Sequence, residues 1–148
     1  MQPQKDKFSM RLLSVVETRF IIDDSRFQEN NPDPEDMKIC FSYNLNPDPE
    51  NDKILLTFGV RYNIADDVTV LESVSAFSFE VLDLKNFIEK DDSGNMHVSS
   101  IVPHLINVAV GTMRGILLIK TSGTKLAGYP LPLVNVEELL ARSERCPM

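Results

Sequence analysis

The stretch MKICFSYNL, residues 37–45, shows the clearest secondary-structure pattern in the chain. Apolar side chains occupy every second position from Met37 to Leu45, and polar or small side chains occupy the positions between them. This two-residue period is typical of a β-strand with one buried face. The stretch therefore predicts a strand, and the segments around it predict the sheet to which it belongs.

Three more segments have strand character. Ile54–Tyr62 alternates in the same way, and Phe8–Ile22 has one strongly apolar face. Thr69–Leu84 is apolar at both parities, so we expect both of its faces to be covered, one by a helix and one by another subunit. The short turn at Ile64–Asp67 joins the third strand to the fourth as a hairpin. The sequence therefore predicts four antiparallel strands in a row.

An acidic proline motif connects the strands. The sequence NPDPE occurs at residues 31–35 and again at residues 46–50. Proline fixes φ and lacks an N–H donor, so each copy should form a stiff, non-helical connection. The strands that flank the two copies do not match each other, which argues against a true internal repeat.

The chain becomes helical after the fourth strand. Ser99 or Ser100 can cap a helix that has Pro103 in its first turn and continues to about Ile119. Apolar residues cover most of the circumference of this segment, so we expect the helix to be nearly surrounded.

A second, short helix is predicted over Val136–Arg142, with Asn135 as its cap. The fold class is therefore α+β: a four-stranded antiparallel sheet followed by a long helix and a short C-terminal helix. We expect residues 1–148 to form a single domain, with a core over about residues 8–142 and short flexible termini.

The composition limits the possible functions. The 148 residues are 43% hydrophobic and 25% charged, as in ordinary globular proteins. The formal net charge is −7 and no basic cluster occurs, so we expect no nucleic-acid partner. The polar N-terminus does not have the pattern of a signal peptide. The apolar stretch Leu105–Ile119 is short and contains Arg114, so we expect no membrane insertion and a cytoplasmic location.

The sequence shows no residue pattern that is typical of a catalytic site or of a cofactor-binding site. His97 follows a loop and His104 lies in the first turn of the long helix, and neither is near a serine in a nucleophile context. The two cysteines, Cys40 and Cys146, are expected to be reduced thiols. Zinc, calcium and phosphate-binding spacings do not occur. We therefore expect no enzyme activity, no metal site and no cofactor.

Four segments resemble a known family. The run LPLVNVEELL, residues 131–140, resembles the ending of SecB-type export chaperones. Pro103-His104 resembles the Pro-Tyr pair that opens their long helix, and Asp23–Asp36 matches their crossover loop between strands one and two. Residues 112–115, TMRG, look more like the divergent SecB-like proteins, some of which accompany toxin–antitoxin systems.

The resemblance implies an ATP-independent holdase that binds unfolded or extended apolar polypeptide in surface grooves. It also implies a homodimer or homotetramer in which two sheets sandwich the long helices, and acidic surfaces that engage the translocase motor SecA. The candidate peptide-binding residues, near the crossover loop and the last helix, are Phe20, Phe27, Leu131, Leu133, Leu139 and Leu140.

The sequence also indicates residues for subunit assembly. The doubly apolar fourth strand contributes Val74, Phe77 and Phe79, and the long helix contributes Gly111 and Gly115, which lie one turn apart. Because glycine costs roughly 1 kcal/mol against alanine in a helix, the pair favours close approach of another backbone, although two indifferent glycines would look the same.

Three hypotheses on function stay open. The first is a general SecB-like holdase. The second is a chaperone of the same fold dedicated to one partner, such as an antitoxin. The third is an enzyme or small-ligand protein, which a deep pocket with converging polar groups would favour.

Overall fold

The computed structural model describes residues 8–23, 25, 37–64, 68–133 and 135–141. The strands and α-helices are β1 (Met10–Ile22), β2 (Lys38–Asp48), β3 (Lys53–Ile64), β4 (Val68–Val81), β5 (Glu89–Lys90), β6 (Met96–His97), α1 (Val102–Lys120) and α2 (Val136–Ala141). Short 3-10 turns at Pro49–Asn51, Leu84–Phe87 and Lys125–Gly128 connect several of them.

The four long strands form one antiparallel sheet in the order β1-β4-β3-β2. β3 and β4 are neighbours, as the predicted hairpin requires. β1 pairs with β4, from Met10 opposite Val81 to Ile22 opposite Leu71, so β1 forms one edge of the sheet and β2 the other. The predicted α+β architecture is confirmed, but the first strand lies beside the fourth and not beside the second.

The apolar core lies between α1 and one face of the sheet. Alternate residues of β3 from Ile54 to Tyr62 are buried. In β4 the buried alternate residues run from Leu71 to Val81 and include Ser73, whose Oγ lies 3.3 Å from the Met113 Sδ of α1. The buried residues of α1 are Val102, Leu105, Ile106, Ala109, Val110, Met113 and Leu117. The period-2 strands and the helix thus bury matching apolar surfaces.

The start of α1 differs from the prediction. Ile101 is the N-cap residue and makes no side-chain capping hydrogen bond, so the proposed caps Ser99 and Ser100 are wrong. Pro103 lies in the first turn, as predicted, because a helix leaves its first N–H groups without partners. The helix is also only partly covered within this chain, since Ile119 is 79% exposed.

By length and composition, α1 is also the one helix among the described residues that could cross a membrane. Its buried residues form the core with the sheet, however, as those of a core helix in a soluble protein do.

The second face of the sheet, called the open face here, carries charged and small residues. Arg11 pairs with Glu80 at 3.2 Å. Farther along, Glu72 forms two ion pairs. Its Oε1 lies 2.8 Å from Arg19 Nε, and its Oε2 lies 3.6 Å from Arg61 Nε. Apolar side chains on this face are exposed or half-buried, and Val16 is 56% exposed. The second face of β4 is therefore not covered to the same degree as the first.

The cysteine prediction is wrong for Cys40, which is disulfide-bonded in the structure. Cys146, the other cysteine of the chain, lies outside the described residues. The cysteines therefore give no support to a reducing compartment.

Candidate functional site

A groove runs beside the outer edge of β2. Two adjoining cavities of about 300 Å³ and about 420 Å³ share Met96 as a wall. The first, called the β2 groove here, is lined by Tyr43, Asn44, Leu45, Pro47, Met96, His97, Val98, Ser99 and Val102. The second, called the turn cavity, is lined by Pro49, Glu50, Lys85, Ile88, Lys90 and Met96. Together they form a concave surface beside this edge of the sheet.

The β2 groove wraps around the strand edge. Three consecutive residues, Tyr43, Asn44 and Leu45, line it, although successive side chains of a strand point to opposite faces. A cavity that contacts both faces must lie at the edge. Among the described strands β2 pairs only with β3, so this edge has no strand neighbour in the described part of the chain.

The far wall of the groove is the small β5–β6 hairpin, which Asp91 holds together. Its Oδ1 accepts hydrogen bonds from the N–H groups of Ser93 and Asn95, both at 2.9 Å. Its Oδ2 lies 2.9 Å from His97 Nε2. The hydrogen bond with His97, followed by that with the Asn95 N–H, lowers the pKa of Asp91 from its ordinary value. The Asp91 contacts therefore fix the hairpin that carries Met96.

A second apolar feature is the extended segment between the two helices. Arg114 of α1 donates from Nε to the Leu131 carbonyl at 3.1 Å and from Nη2 to the Pro132 carbonyl at 3.0 Å. Leu131 points into the core and is 3% exposed, whereas Leu133 is 91% exposed. Arg114 thus pins the residues that precede an outward-facing leucine.

The short helix α2 is held at both ends. Asn135 Oδ1 accepts from the N–H of Glu137 at 3.0 Å and from that of Glu138 at 3.3 Å, so the predicted cap is confirmed. The two glutamates lie in the first turn, where the helix dipole favours negative charge. Leu139 is fully buried, which anchors α2 to the rest of the core.

The predicted peptide-binding residues are distributed over two places. Leu131 and Leu139 are buried in the core, Leu133 is exposed and Leu140 is half-buried, all on the C-terminal segment. Phe20 is half-buried on β1, with the Lys120 ammonium 4.6 Å from the centre of its ring. Phe27 lies outside the described residues. None of the described members lines the β2 groove.

The predicted assembly residues also differ in position. Phe77 and Phe79 are fully buried inside this chain, so they need no second subunit to cover them. Val74 lies half-buried on the open face. Gly111 and Gly115 are exposed, and a Cβ added at either would meet no atom of the described residues within 4 Å. The predicted close approach of another backbone is therefore not made within the described part of the chain.

The sequence interpretation missed the wall of the β2 groove. Each strand of the β5–β6 hairpin has two residues, which is too short for a period-2 pattern to appear. The turn between them was visible as Asp91 to Asn95, with Gly94 at φ +82°. Within the described residues no group of three or more His, Cys, Asp and Glu side chains could hold a metal ion.

Comparisons with known proteins identify the fold. No protein-family model matches the chain, and no curated protein matches it by sequence. Among solved structures, it is similar to the Mycobacterium tuberculosis Rv1957 SecB-like chaperone in complex with a ChAD peptide from the Rv1956 HigA1 antitoxin. The TM-score is 0.56 at 13% sequence identity, over 84% of this chain and 90% of that chain.

A protein of unknown function from Streptococcus agalactiae is also similar over 87% of this chain and 98% of that chain. Its identity is 12% and its TM-score of 0.35 is too low to establish a shared fold. The first comparison, together with the sheet order and the two helices, shows that the chain has a divergent SecB-like fold.

Proposed function

We propose that the protein is an ATP-independent, holdase-type chaperone that binds unfolded or extended apolar polypeptide and catalyses no reaction. The observation that carries the proposal is the open β2 groove beside a strand edge, in a chain whose fold is SecB-like. The solved SecB-like neighbour is a chaperone in complex with a peptide, which supports the same class of ligand here.

The lining of the groove suits ligands of varied sequence. Leu45 is half-buried and provides apolar surface, and Met96, which is 41% exposed, provides a flexible side chain that can repack around different partners. Asn44 and Ser99 provide hydrogen-bonding groups at the same place. A volume of about 300 Å³ is at the lower end of the range for ligand sites, as expected for a groove that holds one or two side chains.

The exposed Leu133 supplies a second contact for an apolar client. Arg114 and the buried Leu131 hold the segment before Leu133 in place. Binding of a client to Leu133 therefore costs little conformational entropy in this segment. A long unfolded client can contact both surfaces, and two weak contacts on one chain bind more tightly than either alone.

The test is protection of a chemically unfolded client from aggregation, followed by light scattering. We compare the wild type with Met96→Glu, which places a charge between the two cavities, and with the matched control Leu82→Glu. Met96 is 41% exposed and Leu82 is 56% exposed, but Leu82 does not line either cavity. Met96→Glu should lose most of the protection and Leu82→Glu should keep it.

Circular dichroism must show that both variants fold, so that a loss of protection is a loss of binding. If the wild type fails to delay aggregation of any unfolded client at stoichiometric excess, the holdase proposal is wrong. If both variants protect equally well, the groove is not where clients bind.

A second candidate is a chaperone dedicated to one partner. The solved neighbour favours it, because that SecB-like chaperone binds a peptide that comes from an antitoxin. In that case the protein should bind a segment of one small protein and ignore generic unfolded clients. A labelled peptide from a co-purifying protein, with a scrambled peptide as control, separates this candidate from the general holdase.

An export role requires a further interaction, with the translocase motor SecA, and a cytoplasmic location. We propose both as extensions of the holdase function. A pull-down with purified SecA, at low and at high salt, measures the interaction directly. Cell fractionation tests the location, and a holdase that binds clients but not purified SecA would serve a purpose other than export.

We also propose that the chain forms a homodimer or a homotetramer. Among the described residues, apolar side chains are exposed on one side of α1, at Leu118 and Ile119, and on β1, at Val16 and Ile21. Light scattering of the purified protein gives the mass directly. A strict monomer at all concentrations would exclude both surfaces as subunit contacts.

A further inference from the structure

Cys40 of β2 is disulfide-bonded, and the chain has one other cysteine, Cys146, which lies outside the described residues. We propose that Cys40 and Cys146 form a reversible disulfide that fastens the C-terminal end of the chain to the sheet. Disulfides in a reducing compartment are usually transient or redox-sensing, so the bond acts as a redox switch if the protein is cytoplasmic. This redox pair is independent of the proposed chaperone function.

The Cys40 side chain lies on the open face of the sheet. Cys40 is opposite Arg61 in the β2–β3 ladder, and Arg61 is opposite Glu72 in the β3–β4 ladder. Side chains of directly opposite residues project to the same face, and the Arg61–Glu72 ion pair lies on the open face. The next residue, Phe41, is buried on the other face, under α1. The disulfide is therefore made on the side of β2 that α1 does not cover.

The C-terminal helix lies on the other side of the sheet. Leu139 of α2 is fully buried and belongs to the core that α1 forms with the sheet. The helix ends at Ala141, five residues before Cys146. Five fully extended residues span at most about 18 Å, and β2 is an edge strand. The proposed bond therefore leads the end of the chain past this edge, from the side of α2 to the side of Cys40.

The bond completes the attachment of α2. This helix has six residues, and helices shorter than about 12 residues are marginal on their own. It therefore depends on contacts with the rest of the protein: Arg114 holds the segment before it, and Leu139 anchors its middle. Cys146 follows its C-terminal end. Oxidation thus fastens α2 from both sides, whereas reduction leaves the second side to noncovalent contacts.

Release of the bond is a thiol–disulfide exchange with a dithiol such as dithiothreitol. One thiolate of the reductant attacks a sulfur of the bond, which forms a mixed disulfide and releases the other cysteine as a thiolate that takes up a proton. The second thiol of the reductant then closes a cyclic disulfide and releases the remaining cysteine. The protein gains two electrons and two protons, and the reductant loses them.

The bond should also stabilise the fold as a whole. Cys146 lies 106 positions after Cys40, so the cross-link closes a long loop in the unfolded chain. In the chain-entropy model the stabilisation increases with the length of the closed loop. For a domain of this size we expect reduction to lower Tm by about 5–15 °C.

Peptide mapping tests the pairing. The full chain is equilibrated with oxidised glutathione, its free thiols are blocked with N-ethylmaleimide, and it is digested with trypsin without reductant. The peptides that contain Cys40 and Cys146 should be recovered as one linked species and should separate after reduction. Blocked thiols on both cysteines, or a link between the Cys40 residues of two copies, would overturn the pairing.

Thermal unfolding and hydrogen exchange test the fastening. The oxidised wild type is compared with the reduced wild type, with Cys40→Ser and with Cys146→Ser. The second variant leaves β2 unchanged, so it decides the matter if Cys40→Ser fails to fold. In the reduced wild type and in Cys146→Ser, amides of residues 138–141 should exchange about tenfold faster or more, and Tm should fall equally. Amides of the β5–β6 hairpin, which Asp91 holds, should stay within about twofold.

The reductant itself provides the control. It should have no effect on Cys146→Ser, because the bond is already absent, and an equal fall of Tm in this variant and in the wild type contradicts the proposal. If α2 exchanges equally in the oxidised and the reduced wild type while the linked peptides are recovered, the bond fastens nothing and the proposal is wrong. A wild type with the link and the redox response that protects no client contradicts only the chaperone proposal.

Discussion

The two faces of the four-stranded sheet are built from the same strands but differ in burial and in the side chains that they carry. On the face under α1, alternate residues of β3 and β4 are almost completely buried, and the largest are aromatic. On the open face, the residues between them form ion pairs such as Arg19–Glu72 and leave Val16 more than half exposed. One-residue steps along β4 therefore move from a packed core to a solvated surface.

The difference shows which face carries the stability of the fold. Buried apolar area is worth about 25 cal/mol per Å², so the covered face supplies most of the favourable free energy. Exposed ion pairs contribute about 0–1 kcal/mol each. The open face is therefore more tolerant of substitution, and substitutions on the two faces test this difference.

Truncation of Phe77 should give the largest effect. Phe77 is fully buried on the covered face, and Phe→Ala at such positions costs about 3–5 kcal/mol through lost transfer free energy and the cavity left behind. Val16→Ala on the open face should cost less than about 1 kcal/mol. Urea unfolding followed by circular dichroism measures both, and similar losses for the two variants would mean that the open face is covered in solution.

Tyr62 should make stability fall at alkaline pH. Burial raises the pKa of Tyr62 to about 12, above its ordinary value of 10.0. The buried phenol therefore contributes fully below pH 10, and its contribution is lost as the pH rises from about 10 to about 12. Two pKa units correspond to about 2–3 kcal/mol. Tyr62→Phe should remove this part of the pH dependence, and Tyr129→Phe should leave it in place.

Substitution of Ser75, on the covered face, should increase the stability of the fold. Its hydroxyl is buried without a hydrogen-bond partner, whereas the neighbouring Ser73 hydroxyl contacts Met113. An unsatisfied buried hydroxyl costs about 1–3 kcal/mol, so Ser75→Ala should raise the free energy of unfolding by about 1 kcal/mol. Ser73→Ala is the matched control and should gain less. A loss of stability in Ser75→Ala would show that this hydroxyl has a partner.

The smallest effect is expected from Glu72 on the open face. Its carboxylate contacts both Arg19 and Arg61, yet these guanidinium side chains are substantially exposed. Water and salt screen such pairs, so Glu72→Gln should lower the free energy of unfolding by about 0.5 kcal/mol or less. The loss should shrink further at high salt. A salt-independent loss above about 2 kcal/mol would place this network in a desolvated environment.

Much of this fold could be predicted from the sequence because its strands have a strong period. The alternation from Met37 to Leu45 and from Ile54 to Tyr62 reports burial on one face, and the structure buries that face. The pairing of β1 with β4 could not be derived in the same way, because periodicity describes a strand and not its neighbour. Only the resemblance to SecB-type proteins pointed to a crossover.

The candidate site was less predictable for a related reason. Met96 lines the β2 groove through a two-residue strand that has no period of its own. Leu131 and Leu133 look equivalent in the sequence, but only the second is exposed. The hydrogen bonds that hold this segment come from Arg114, seventeen residues before Leu131 in the chain, and periodicity does not report such contacts.

The crossover of β1 also fixes an order of events during synthesis. β1 is made first, but its ladder partner on β4 begins only at Val68, after β2 and β3 have been completed. Until then β1 has no strand to join, and its apolar residues remain exposed on the nascent chain. Lys120 at the end of α1 then pairs with Glu17 of β1, across 103 residues of sequence. Contacts so distant in sequence slow folding, so the joining of β1 to the sheet is expected to be among the slower steps.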